Sequence, residues 1–230
     1  MDPRSLDPEA VSLSRQCVKC DAPGILAGAD SRKAVYCAPC FVQMVKHKFR
    51  SSLGKRRIYK DGASKETLLL FDGSLGSAFA LGQLVESLED TQHRKLMIEP
   101  TILFLIVSTN TARINEVLKR YMDISTSLSI PFRIAHVAAA LQKNFDLSDV
   151  TQSFIGEDQL DRYSQLLSSM RTSTAKNEVK RLLIEVITAR FAIASGIEKI
   201  WLPSTGDDLA RNTIQFFSLG RGKSRQFFSL

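Results

Sequence analysis

The chain has 230 residues, 44% hydrophobic and 24% charged, with a formal net charge of +7, which supplies ample apolar material for a packed core. Its longest apolar run, Ile102–Val107, is far short of the roughly 20 residues a membrane-spanning helix needs. The opening residues, rich in acid, proline and serine, hold no apolar signal core, so the sequence predicts neither membrane insertion nor secretion.

The excess charge is local. Residues 1–65 contain 13 Lys/Arg against 6 Asp/Glu, whereas the rest of the chain contains 18 of each. Such a surplus predicts a polyanion-binding surface, for which nucleic acid is the commonest partner, with a solubilising surface as the plain alternative. The four cysteines are just as localised, all between positions 17 and 40.

Residues 1–16 are polar and irregular and read as a flexible arm. Residues 17–62 read as a zinc ribbon plus a basic helix. Cys17, Cys20, Cys37 and Cys40 follow the spacing C-x2-C-x16-C-x2-C, in which each pair makes a tight turn aiming two sulfurs at one tetrahedral ion. Four thiolates leave no open coordination position, so zinc here is expected to be structural and to supply folding energy to a segment without a core of its own. Free buried cysteines, two disulfides and an iron–sulfur centre are the competing readings. From Phe41 the pattern turns helical, with Phe41, Val45, Phe49 and Leu53 every four residues and Gly54 as the expected stop. Lys46 and Arg50 share one face, His47 is nearby, Lys48 falls closer to the apolar edge, and Lys55, Arg56 and Arg57 extend the charge past the helix end. These seven residues are the candidate RNA-binding set, because a run of cations can track successive phosphates with salt-sensitive affinity.

A different pattern occupies residues 63–220, which read as an α/β domain, with 221–230 as an irregular tail. Thr67–Phe71 is a continuous apolar run, as expected of a strand buried on both faces. A glycine-containing turn leads into a helix near Leu75 to Leu88, with Leu75, Ala78, Phe79, Gly82 and Val85 as its expected packed face. Further strands are expected near Thr101–Val107, Phe132–Val137 and Lys199–Leu202, and helices near Arg113–Ile124 and Lys176–Ser195. The buried stripe of the last helix is expected at Leu182, Val186, Ala189 and Ile193, with Gly196 as its stop. The stretch Asp146–Met170 mixes loop and helix, and Thr205-Gly206-Asp207-Asp208 opens a final helix. Strands alternating with helices predict a parallel sheet covered on both faces, with ligands beyond the carboxyl ends of its strands. Gln215-Phe216-Phe217-Ser218-Leu219 recurs verbatim at Gln226–Leu230, too short an identity for a repeat array.

Between the first strand and its helix stands Asp72-Gly73-Ser74-Leu75-Gly76-Ser77, where ATP-pyrophosphatases of the PP-loop class carry S-G-G-x-D-S. Together with the four-cysteine ribbon and the stretch F-V-x-x-V-x-H-K-F-R-x-x-L-G-K-x-R from Phe41 to Arg57, this loop resembles the cytosolic tRNA 2-thiolation proteins, and most of all their second-subunit family. The resemblance implies a PP-loop-like (adenine nucleotide alpha hydrolase-like) sheet behind a four-cysteine zinc ribbon, and a cytoplasmic role in thiolating the wobble uridine of tRNA. It also implies a heterodimer with a catalytic thiolation subunit, and sulfur that arrives from a thiocarboxylated ubiquitin-related modifier of the protein urmylation pathway. Gly73, Ser74, Gly76 and Ser77 then occupy the nucleotide-binding positions. Asp72 stands for the loop's first serine, Ser74 for the second glycine and Gly76 for the aspartate, which puts ATP binding in question. The family's catalytic members carry cysteines near the segment equivalent to Met170–Asn177, and this chain has none beyond Cys40. The implied role is therefore a non-catalytic subunit contributing tRNA binding and assembly. An active ATP-dependent thiolation enzyme with a divergent loop and a zinc-ribbon protein-interaction module are the alternatives. The family's chains also run past the point equivalent to Gly220, so a shortened sheet is expected.

Overall fold

The structure, a computed structural model, describes residues 15–27, 34–55, 58–59, 64–89, 98–142 and 156–220. The chain divides into two compact units, 1–63 and 64–230. Residues 1–14 of the expected arm, Arg56 and Arg57, and the second Gln226–Leu230 motif lie outside the described residues.

The first unit is a small ribbon. Strands β1 (Leu26–Ala27) and β2 (Val35–Tyr36) pair antiparallel, and helix α1 (Ala38–Lys55) follows directly. Backbone bonds from Val18 N to Val35 O (3.0 Å) and from Ile25 N to Tyr36 O (2.9 Å) tie the first cysteine turn to β2. Gly24 is packed so closely that an added Cβ would fall 2.4 Å from Val35 Cγ1 and 3.0 Å from the Arg15 carbonyl oxygen. Helix α1 begins earlier than its periodicity suggests and runs through Gly54 to Lys55. A single glycine weakens a helix by only about 1 kcal/mol and does not by itself end it.

The second unit is built on a four-stranded parallel sheet in the order β5-β4-β3-β6. Its elements are β3 (Glu66–Phe71), α2 (Leu75–Glu89), β4 (Glu99–Ile106), α3 (Thr111–Ser127), β5 (Phe132–His136), a 3-10 turn (Val137–Leu141), α4 (Glu157–Ser169), α5 (Ser173–Ala194), β6 (Lys199–Trp201) and α6 (Gly206–Ser218). The register sets Leu69 beside Ile102 and Trp201, and Phe104 beside Ile134. Chain order β3, β4, β5 steps in one direction, and β6 returns to the far side of β3. Right-handed crossovers therefore put α2 and α3 on one face and α4 and α5 on the other.

Alternation along the strands feeds the two faces separately. Leu68, Leu70, Leu103, Leu105 and Ala135 pack with Tyr163 and Leu167 of α4 and with Leu183, Ile187 and Phe191 of α5. On the opposite face Phe71, Phe104 and Tyr121 of α3 form an aromatic cluster with ring centroids 4.8 to 5.6 Å apart. A layered parallel sheet in one unit and a four-cysteine ribbon in the other are the α/β architecture expected from the sequence.

Two helix faces differ from expectation. In α2 the buried residues are Ser77, Leu81, Gln83, Leu84 and Ser87, while Leu75 and Phe79 face outward and Ala78 and Gly82 are exposed. The helix carries two apolar stripes, and the buried one runs through Leu81 and Leu84 beside the fully buried Ser77. In α5 the buried stripe is Leu183, Ile187 and Phe191, one residue round from the expected Leu182, Val186, Ala189 and Ile193, all of which are exposed. Apolar residues surround most of that helix, so a period of 3.6 does not choose a side. Its stop is as read: Gly196 has φ +68°, and Ile197 N donates to Ala192 O at 2.9 Å and Gly196 N to Ile193 O at 3.2 Å, the paired bonds of a Schellman motif.

Candidate metal centre and the loop beyond the sheet

In the first unit the fold gathers the sulfurs of Cys17, Cys20, Cys37 and Cys40 within 4.8 Å of one another. Cys17 and Cys20 sit on the turn held by Cys17 N donating to Ala22 O at 2.8 Å. Cys37 immediately precedes α1, and Cys40 lies in its first turn, where Phe41 N donates to Cys37 O at 2.9 Å. Cys20 and Cys37 sulfurs are 3.6 Å apart, and Cys40 and Cys20 sulfurs 3.7 Å. Four thiolates around one ion at a metal–sulfur distance of about 2.3 Å would stand about 3.8 Å apart, so the donor set fits a tetrahedral thiophilic cation. Burial opposes ionisation of Cys17, but backbone hydrogen bonds at Cys37, Lys19 and Cys20 outweigh it and draw its thiol down to about 6. Hydrogen bonding to the Cys37 and Cys20 sulfurs pushes Cys40 up to about 12.

The basic residues of α1 do not share one environment. His47 and Lys48 are exposed, whereas Lys46 and Arg50 are half-buried along the same side as Phe49 and Leu53. Sequence periodicity had set Lys48 nearer the apolar edge than Lys46; the helix is turned the other way. Lys55 is the last residue of α1.

In the second unit the loop Asp72–Ser77 joins β3 to α2, at the carboxyl end of the strand. Gly73 has φ +78°, a conformation that favours glycine. Two amides of the loop are engaged: Ser74 N donates to Asp72 Oδ1 at 3.0 Å, and Ser77 N donates to Ser74 Oγ at 3.2 Å. The Ser77 hydroxyl is fully buried and donates to Ser74 O at 2.9 Å. Gly76 packs where β3 and β6 diverge, and an added Cβ there would meet Pro203 O at 2.2 Å. This point, where the strand order reverses, is where open parallel sheets bind ligands. Beyond it α6 opens with Thr205, Asp207 and Asp208, so the mouth carries carboxylates from both connections.

Three side chains that the sequence reading passed over close the neighbouring strand ends. Tyr121 Oη donates to Leu105 O at 3.2 Å, Tyr163 Oη to Val107 O at 3.1 Å, and His136 Nε2 pairs with Ser108 O at 2.7 Å. Burial pushes both tyrosines up to about 12, with the Asp72 charge adding to the effect at Tyr121. His136 Nδ1 accepts from Ala138 N at 3.1 Å, and burial holds its ring below the ordinary histidine range. A histidine at the carboxyl end of a strand was the visible signal; that its ring would bridge two strand ends was not.

No family model matches the chain. It is 38% identical over 213 residues to cytoplasmic tRNA 2-thiolation protein 2 of Caenorhabditis elegans, covering 91% of this chain and 60% of that protein. The protein of that name from Caenorhabditis briggsae is 34% identical over 214 residues, with the same coverage of 91% and 60%. That from Aedes aegypti is 25% identical over 225 residues, 94% of this chain and 49% of its own length. The chain thus spans half to three fifths of these relatives. Over nine-tenths of its length this chain is similar to proteins named cytoplasmic tRNA 2-thiolation protein 2.

Proposed function

We propose that the chain acts in cytoplasmic 2-thiolation of the wobble uridine of tRNA, as a non-catalytic subunit that binds tRNA and pairs with a catalytic thiolation subunit. The observation that carries the reading is the 38% identity along 91% of the chain to a protein named for tRNA 2-thiolation. The cysteine group holds zinc, chosen by four thiolates at C-x2-C spacing, and its role is to fold the ribbon that presents α1. Lys46, His47, Lys48, Arg50 and the Lys55–Arg57 run meet phosphates, His47 and Lys48 being the exposed members of the helix.

The α/β unit supports chemistry performed elsewhere. A pyrophosphate needs loop amides, yet Asp72 and Ser74 occupy those of Ser74 and Ser77, and the Asp72 carboxylate repels phosphate charge. No cysteine follows Cys40 to carry sulfur. The sulfur of a thiocarboxylated modifier therefore passes through the partner subunit.

The test is filter binding of tRNA over a salt series, beside a thiolation assay of the chain alone. Replacing His47, Lys48, Lys55, Arg56 and Arg57 with glutamate is expected to weaken binding at least tenfold and flatten its salt dependence. The chain alone is expected to release no pyrophosphate from ATP and to thiolate no transcript. Unchanged binding removes the tRNA role, and turnover by the chain alone makes it an enzyme.

A further inference from the structure

Helix α5 is apolar on two sides. Leu183, Ile187 and Phe191 are buried against the sheet. Leu182, Val186, Ala189 and Ile193 stand exposed on the outer side, Ile193 to 80%. At 3.6 residues per turn the two stripes lie nearly opposite each other. A surface helix with one packing neighbour carries one apolar stripe. Here there are two, and among the described residues only the inner one is covered. The outer stripe advances in steps of four, three and four residues, the spacing of a coiled-coil seam. Half-buried Val179 and Ala175 continue it toward the start of the helix. In heptad terms Val179, Val186 and Ile193 take the a positions, and Ala175, Leu182 and Ala189 the d positions. β-branched residues at a with leucine at d favour two parallel helices, and the small alanines let such helices approach closely.

The two edges of the stripe differ in charge. One edge faces α6, whose Gln215 Nε2 donates to Glu178 Oε2 at 2.7 Å. It carries Glu178 and Glu185, both paired with Arg181, so two carboxylates stand against one guanidinium. The other edge carries Lys176 and Arg190, the latter donating from Nη1 to the Ala140 and Gln142 carbonyls at 3.1 and 2.7 Å. A second α5 laid parallel and in register would set the acidic edge of each helix on the basic edge of the other. Glu185 then meets the Arg190 of the other copy, the g-to-e pairing of a parallel coiled coil. An antiparallel copy would set acid on acid and base on base, at a cost. The charge pattern thus selects both the occupant and its direction.

We propose that the outer stripe of α5 is the interface for a second copy of this chain, the two helices packed parallel about a two-fold axis. Such a contact is isologous, so Val186 and Ile193 each meet their own counterparts. The pairing is carried by α5 alone, separate from that with a catalytic subunit, and stands whether or not the chain binds tRNA.

The experiment is sedimentation equilibrium of the full chain from about 1 to about 100 μM, the range in which a seam this short should associate. The mass is expected to rise toward that of two chains. Val186→Asp with Ile193→Asp replaces exposed side chains, so it should keep the parent melting temperature and weaken association at least tenfold. Leu182→Glu with Ala189→Glu repeats the test at the d positions, which guards against one pair failing to fold. Ile193→Cys, oxidised mildly with glutathione disulfide, is expected to link two copies through position 193, while the parent chain under the same conditions stays unlinked. A mass that remains that of one chain throughout the range overturns the proposal, as does association that survives both pairs. Association without the link at position 193 overturns the parallel seam equally.

Discussion

His136 shows how much one ring can be asked to hold. Its Nε2–H faces the Ser108 carbonyl and its Nδ1 accepts from the Ala138 amide, so both nitrogens are committed to the neutral form. A proton on Nδ1 would set two N–H groups against each other in a buried site, in keeping with a folded-state pKa lowered by desolvation. The unfolded chain then binds the proton more readily. Stability from this ring is full above the unfolded pKa of about 6.5 and is lost as pH falls toward the folded value, by at most about 1.4 kcal/mol per pH unit. Urea unfolding at pH 7.5 and 5.5 should show the native protein losing more stability than His136→Gln, which keeps a donor and an acceptor without titrating. Equal losses would remove the ring from the pH dependence. The residues of the loop tell a related story: Gly76 is defined less by a turn than by the Pro203 carbonyl pressed against it.

At the scale of elements, local signals set the helix ends and tertiary packing set the faces. Thr205 caps α6 in a reciprocal box: Asp208 N donates to Thr205 Oγ1 at 3.2 Å, and Thr205 N donates to Asp208 Oδ2 at 3.0 Å. The same bonding, led by the Thr205 hydroxyl, lowers the Asp208 carboxyl below its usual range. Thr205→Ala should cost α6 about 1 kcal/mol. Because no residue of α6 is buried, the loss should appear as several-fold faster exchange within α6 while β3 and β4 amides stay unchanged. Faster exchange throughout the sheet would show that α6 is coupled to the core after all. Glycine at 196 and threonine at 205 were readable because caps depend on neighbours in sequence. The buried stripes of α2 and α5 were not, because each helix offers apolar residues on more than one side and only contact with Leu68, Leu70 and their neighbours selects among them.

For the whole molecule, the two units draw stability from different sources. Among its described residues the ribbon has two-residue strands, one helix and the cysteine group but no layered core, whereas the α/β unit has two packed sheet faces. Removing metal with a chelator should therefore unfold residues 17–55 and leave the sheet intact. Limited proteolysis is the check: rapid cleavage within 1–63, with 64–220 resisting as before. A ribbon that stays protected without metal would show that the cysteines have no structural ion to lose.

The sequence by itself determined what depends on spacing and order: the four-cysteine group, the strand–helix alternation, the caps and the departures of the Asp72–Ser77 loop. Each needs only near neighbours or residue chemistry, because a turn, a cap or a missing thiol is decided within a few residues. Only the tertiary structure decided which apolar stripe was buried, how Tyr121, Tyr163 and His136 seal the strand ends, and that no residue of α6 is buried. Those outcomes depend on burial against partners distant in sequence, and side-chain period alone has no term for the partner.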